Sequence, residues 1–107
     1  MNCLSLDFRR ADVTLREKFA FSQRVRAEIC SAFAEYGGCV PIVTCNRTEV
    51  YFHCEQPEAE EILYHFSEVR TKKFAFYAGE FCLRHLFELT AGLCSMQIGR
   101  ASCRERV

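Results

Sequence analysis

Cys39-Val40-Pro41-Ile42-Val43-Thr44-Cys45-Asn46-Arg47-Thr48-Glu49-Val50-Tyr51-Phe52-His53-Cys54 reads as two strands joined by a turn. Residues 39–44 are short, apolar and rich in β-branched side chains, which suits a strand. Pro41 cannot donate a ladder hydrogen bond, so this strand belongs at a sheet edge or at its own start. Asn46-Arg47-Thr48 supplies turn chemistry. Residues 49–54 alternate, with Val50, Phe52 and Cys54 on one face and Tyr51 and His53 on the other. An antiparallel sheet follows from such a hairpin.

Upstream, residues 2–8 alternate loosely and suit a short strand. Thr14 stands three residues before Glu17, the order of a capping box, and Ser22 is a second candidate N-cap. Val25, Ile29, Ala32, Phe33 and Tyr36 then recur at helical spacing until Gly37-Gly38 ends the helix. Downstream, Pro57 fits the first position of a helix whose apolar stripe is Ile62, Leu63, Phe66 and Val69. Residues 73–77 read as a last strand. From about Gly79 a long helix carries Cys82, Leu86, Leu89 and Leu93 on its buried side. The order strand, helix, strand, strand, helix, strand, helix predicts an α+β fold: a ferredoxin-like antiparallel sheet with helices on one face plus a C-terminal helix.

The 107 residues favour one domain, and half of them are apolar, ten being Phe, which fits a packed core rather than disorder. The formal net charge is zero, so there is no general basic footprint for nucleic acid. The first residues are too short and polar for a signal peptide, and no run of about 18 apolar residues forms a membrane span. A cytoplasmic location is the expectation.

Eight cysteines stand at 3, 30, 39, 45, 54, 82, 94 and 103 without any C-x-x-C or zinc-ligand spacing. No metal is expected, a disulfide framework is not expected either, and most thiols are read as small buried hydrophobes. Residues 98–107 break the preceding pattern and resemble a translated sequencing adapter. They are read as a non-native tail after a domain spanning 1–97. Without them the chain holds 11 basic and 13 acidic residues, a net of −2.

The chemistry concentrates in 43–49. A Cys at the end of an apolar strand, facing a turn, is exposed while its backbone is held. Only the thiolate attacks, and a free thiol titrates at about 8.5, so a neighbour must favour ionisation. Arg47 is a permanent cation two residues on, leaving the same face if the chain stays extended. Amides of residues 46–48 are candidate donors to a thiolate or oxyanion. By spacing alone, a buried Cys beside an ordinary hairpin remains the commoner reading. His85 lies about 60 degrees from the centre of its helix's apolar stripe at roughly 100 degrees per residue, where it can touch core and cleft. A half-buried structural His is the alternative. His53 and His65 read as surface or strand-face residues, and Tyr51 as sheet packing.

Thr44-Cys45-Asn46-Arg47-Thr48-Glu49 resembles the catalytic motif of glutamyl-tRNA reductases. Two further blocks are similar in order and distance: Leu15-Arg16-Glu17-Lys18-Phe19-Ala20-Phe21-Ser22, and Arg84-His85-Leu86-Phe87 followed by Ala91-Gly92-Leu93-Cys94-Ser95-Met96. The resemblance covers essentially residues 3–97 and implies the N-terminal catalytic domain. It implies that Cys45 attacks the ester of glutamyl-tRNA to form a thioester, which NADPH reduces to glutamate-1-semialdehyde for tetrapyrrole synthesis. Thr44, Asn46, Arg47 and Ser95 would bind the glutamyl group, Arg47 through a planar fork matched to its carboxylate. His85 would sit near the thiol for proton transfer or positioning.

Departures stand beside the matches. Phe8 occupies a position where the family usually has His, Cys94 one where it commonly has Asp, and Arg100 one where it has Glu. A polar contact from the first strand is lost or replaced by Arg9. No G-x-G-x-x-G follows a strand. The nucleotide-binding and dimerisation domains are therefore expected elsewhere, with a homodimer formed through the latter and no completed hydride transfer by this fragment. The competing reading is a non-catalytic module, either a Cys-rich metal-binding or redox-sensing domain or a protein-interaction domain.

Overall fold

A computed structural model describes residues 1–99, with side chains through Ala91. The elements are β1 (Asn2–Asp7), α1 (Val13–Lys18), α2 (Gln23–Phe33), a 3-10 turn (Ala34–Tyr36), β2 (Cys39–Val43), β3 (Arg47–Phe52), α3 (Gln56–Ser67), β4 (Ala75–Ala78) and α4 (Glu80–Gly99). The strands pair antiparallel in the order β2-β3-β1-β4, the split arrangement of a ferredoxin-like sheet. The α+β expectation holds, and β2 is an edge strand, one of the two placements Pro41 allowed.

Alternation along the strands sorts the sheet into two unlike faces. Leu4, Leu6, Val50 and Phe52 point to the side covered by α2 and α3, where Ile29, Phe33, Ala59 and Leu63 complete a buried cluster with Phe19 and Phe74. Cys3 and Tyr51 point to the opposite side and meet Cys82 of α4. Thus α2 and α3 share one face, while the C-terminal helix covers part of the other.

Caps set the element boundaries. Ser22 is the N-cap of α2, its hydroxyl accepting from Val25 N at 3.3 Å. The expected Thr14 cap is replaced by Asp12, whose carboxylate accepts from Leu15 N at 2.9 Å. An ionised acceptor at a helix start is favoured over a hydroxyl two residues later. Pro57 is the second residue of α3, behind a Glu55–Glu58 capping box. Gly37, at φ 99, carries the left-handed return after the 3-10 turn. Leu93, expected on the buried stripe of α4, has a side chain outside the described set; Cys82 and Leu89 are buried as expected.

Candidate active site

The site starts at the β2–β3 tip. Thr44 N donates to Arg47 O at 2.9 Å, leaving Cys45 and Asn46 at the apex. Neither apex residue has positive φ, so the mirror-image turns that usually close two-residue hairpins are not in use. The Thr44 hydroxyl takes over instead: its Oγ1 accepts from both Asn46 N and Arg47 N at 3.2 Å. This corrects the expectation for the amides of Asn46 and Arg47, which are consumed in shaping the apex rather than offered to a thiolate or oxyanion. Thr44 itself is buried.

Cys45 is exposed at the apex, the arrangement a nucleophile requires. Its carbonyl accepts from Arg16 Nη1 at 3.3 Å, tying the apex to α1. One fold edge further in, Thr48 Oγ1 donates to Phe19 O at 2.9 Å and fixes β3 against the end of α1. Cys45 is disulfide-bonded in this structure, which corrects the expectation that bridges play no part. An exposed thiol is the one most open to oxidation; nucleophilic chemistry belongs to its reduced form.

A cleft of about 640 Å³ opens between the tip and the α1–α2 segment, lined by Arg16, Arg26, Thr44, Cys45, Arg47 and Thr48 among others. Among the described lining residues, Glu17 is the one that carries a carboxylate, against three arginines, Arg16, Arg26 and Arg47. A concave surface with excess positive charge concentrates anionic groups. Arg26 is anchored by donating to Phe21 O at 2.8 Å. Arg16 Nε is buried with no hydrogen-bond partner, an unmet donor in a residue that lines the cleft.

Behind the tip, Arg47 runs along the sheet face opposite the Phe-rich core. Its Nη1 lies 3.5 Å from Glu49 Oε2. Glu49 is fully buried and collects donors: Ser5 Oγ at 2.6 Å, Tyr51 Oη at 2.9 Å, and the Nε2 of His85. The His85 ring stacks on Tyr77 at 4.2 Å and 13°. A buried carboxylate survives desolvation through such multiple donors. His85 is therefore deeper than its boundary position on the helical wheel implied, and its direct partner is Glu49. Asp7 lies across the ladder from Arg47. Burial raises the Asp7 pKa, but the side-chain and backbone hydrogen bonds and the charge of Arg9, with Arg47 adding, hold the carboxyl below its ordinary range. Arg9 is thereby committed to Asp7 and Phe8 is exposed, so neither restores a first-strand contact to the cleft.

Cys3, Glu49 and His85 present ligand atoms within 4.8 Å of one another, a set chemically able to hold a soft divalent cation. Glu49 is already saturated by four donors, and the Arg47 cation faces it. Burial also pushes the Cys3 and Cys82 thiols up, keeping them protonated. The hydrogen-bonded cluster thus accounts for these residues by itself. The described residues do not fit a dinucleotide either. The sheet is antiparallel, and the glycine at the β4–α4 junction, Gly79, opens onto Glu80, whose charge opposes a phosphate at that helix start.

Of the residues singled out from sequence, Thr44, Cys45 and Arg47 share the cleft, Asn46 is at its apex, and His85 joins through Glu49. The Ser95 side chain lies outside the described residues. Glu49, Ser5 and Arg16 were not anticipated. The available signal for Glu49 was a carboxylate interrupting an alternating strand on the Arg47 and Tyr51 face.

The profile of the glutamyl-tRNAGlu reductase N-terminal domain family matches residues 4–103. The chain belongs to this family. Among curated glutamyl-tRNA reductases, that of Akkermansia muciniphila is 36% identical over 110 residues, covering 92% of this chain and 32% of the relative. That of Moorella thermoacetica is 38% identical, covering 88% and 24%. That of Archaeoglobus fulgidus is 30% identical, covering 92% and 23%. The chain thus spans about a quarter to a third of the reductases it matches. No solved structure matches it. No described helix is long and apolar enough to cross a membrane.

Proposed function

We propose that this glutamyl-tRNA reductase N-terminal domain carries the acyl-transfer half of the reaction, with Cys45 as nucleophile. The observation that carries the reading is an exposed cysteine at a braced hairpin apex, on the wall of an arginine-lined cleft. The reduced Cys45 thiolate attacks the glutamyl ester carbonyl. A sulfur–carbon bond forms, the ester carbon–oxygen bond breaks, and the tRNA leaves as an alcohol after taking up a proton. The product is a thioester on Cys45.

Arg47 suits the side-chain carboxylate of the glutamyl group, because Glu49 orients its guanidinium from behind. Arg16, with an unmet donor and a bond to the Cys45 carbonyl, holds the apex and adds positive charge. Thr44 and Asn46 shape the apex and line the approach; Ser95 adds a substrate contact by resemblance alone. His85, positioned by Glu49, serves as the proton-transfer or positioning group. NADPH supplies hydride to the thioester in this reading, from a site formed by residues other than those described, and no step at that site is assigned to this chain. Glutamyl-tRNA as partner, a cytoplasmic location and a homodimer built on other residues belong to the same reading. Residues 98–107 are read as a non-native tail, although the family match runs into them; genomic sequence across codon 97 tests this.

Cys45→Ser in an intact reductase carrying this domain removes covalent trapping of the glutamyl group from glutamyl-tRNA, measured by mass mapping after acid quench. Trapping retained at wild-type level overturns the reading. The metal-module alternative requires stoichiometric zinc in the purified protein.

A further inference from the structure

Two cysteines outside the cleft are in contact. Cys30 lies in the last turns of α2, and Cys39 opens β2, the strand that ends at Thr44. Their Sγ atoms are 3.8 Å apart, and Cys30 Sγ also lies 3.8 Å from Cys39 O. The chain between them turns back through Gly37 and Gly38, both at positive φ, so the approach is built into the helix-to-strand return. Both residues are half-buried, whereas Cys3 and Cys82 are sealed. Partial exposure leaves the pair accessible to a small oxidant.

The geometry suits bond formation. A disulfide needs the sulfurs at about 2.05 Å with Cβ atoms about 3.5–4.5 Å apart. The two sulfurs already stand in van der Waals contact. The resulting ring spans only the 30–39 return and leaves the sheet register intact.

We propose that Cys30 and Cys39 form a reversible dithiol–disulfide pair closed by a hydroperoxide. The Cys30 thiolate attacks a peroxide oxygen, the O–O bond breaks, and Cys30 becomes a sulfenic acid while the other oxygen leaves, as water when the oxidant is hydrogen peroxide. The Cys39 sulfur then attacks Cys30 sulfur. The S–S bond forms, the S–O bond breaks, and water leaves with the Cys39 proton. Two electrons pass from the thiols to the peroxide, and an external thiol reverses the bridge by exchange. The order follows from burial and the neighbouring Cys30, which push the Cys39 thiol up to about 12 and make it the poorer first nucleophile.

The test uses the full chain, reduced, freed of reductant and treated with hydrogen peroxide. Remaining thiols are alkylated and the chain is cut after Arg, Lys and Glu. Cleavage after Glu28 and Glu35 separates Cys30 from Cys39, and a parallel Cys45→Ser sample removes the other cysteine of the Cys39 peptide. The expected result is a reducible cross-link between the 29–35 and 36–47 peptides in both samples, formed at a rate independent of protein concentration. In Cys39→Ser the link is lost and dimedone traps a sulfenic acid at Cys30. Three results overturn the proposal: both peptides fully alkylated, Cys30 carried to sulfinic acid without a bridge, or a link that disappears in Cys45→Ser. The wild-type and Cys45→Ser maps decide the matter even if Cys39→Ser does not fold.

Discussion

The two faces of the one sheet have opposite characters. Under α2 and α3 the face is Leu4, Leu6, Val50 and Phe52 packed against aromatic rings, with Phe19 meeting Phe74 edge-on at 5.0 Å. On the other face the same strands present Ser5, Arg47, Glu49 and Tyr51, joined to His85 by hydrogen bonds through Glu49 rather than by packing alone, with Asp7 beside Arg47 across the ladder. The first face stabilises through apolar burial, which is tolerant of detail. The second is held by directional bonds to a single buried carboxylate, where each missing partner leaves another unsatisfied. The contrast locates stability in one layer and the orientation of Arg47 and His85 in the other.

The largest effect belongs to the apolar face. Phe33→Ala leaves a cavity beneath Phe52 and is expected to cost about 3–5 kcal/mol, read from the shift in urea midpoint. A loss under 1 kcal/mol, on the order of a surface substitution, would mean α2 is not packed as described.

Glu49→Gln comes next, at about 2–3 kcal/mol, because an amide hydrogen now confronts donors from Ser5, Tyr51 and Arg47. It should also lower binding of the glutamyl group in the intact reductase more than Phe33→Ala does at matched fraction folded. Equal binding loss in both would erase the distinction between the faces.

Thr44→Val removes the acceptor for two apex amides and is expected to cost about 1–2 kcal/mol, while Thr44→Ser stays near wild type. Identical behaviour of Val and Ser would show that the hydroxyl does not shape the apex.

The smallest effect is a matter of pH. Asp7 has a lowered folded pKa, so its contribution is present above the ordinary Asp range and is lost as pH falls through the depressed value. Wild type should exceed Asp7→Asn in stability at neutral pH, and the two urea midpoints should converge in acid. A gap independent of pH would assign Asp7 no ionic role.

Much of the fold was legible because it rests on periodicity. The Val50–Phe52 alternation, the Pro41 edge strand and the Ser22 cap all follow from local chemistry. Thr14 misled because a capping box and an Asp two residues earlier compete for the same helix start, and only the backbone's entry decides. In the site, Cys45 and Arg47 stood out through a motif. Glu49 did not, since nothing local says that four donors from two other elements and its own strand will converge on it. Arg16 was equally hidden, because its contact with the Cys45 carbonyl spans 29 residues of sequence. Long-range polar convergence is written in the topology rather than in any window of the chain.

The central claim concerns one sulfur at one apex. Its most direct test is residue-resolved alkylation of the fully reduced chain by iodoacetamide and by iodoacetate. Cys45 should label first with both reagents, at least about tenfold ahead of the buried Cys3, Cys54 and Cys82. The anionic reagent should also be favoured at Cys45 relative to Cys30, because of the arginine-lined cleft. Labelling of Cys45 no faster than that of the sealed thiols would contradict the account.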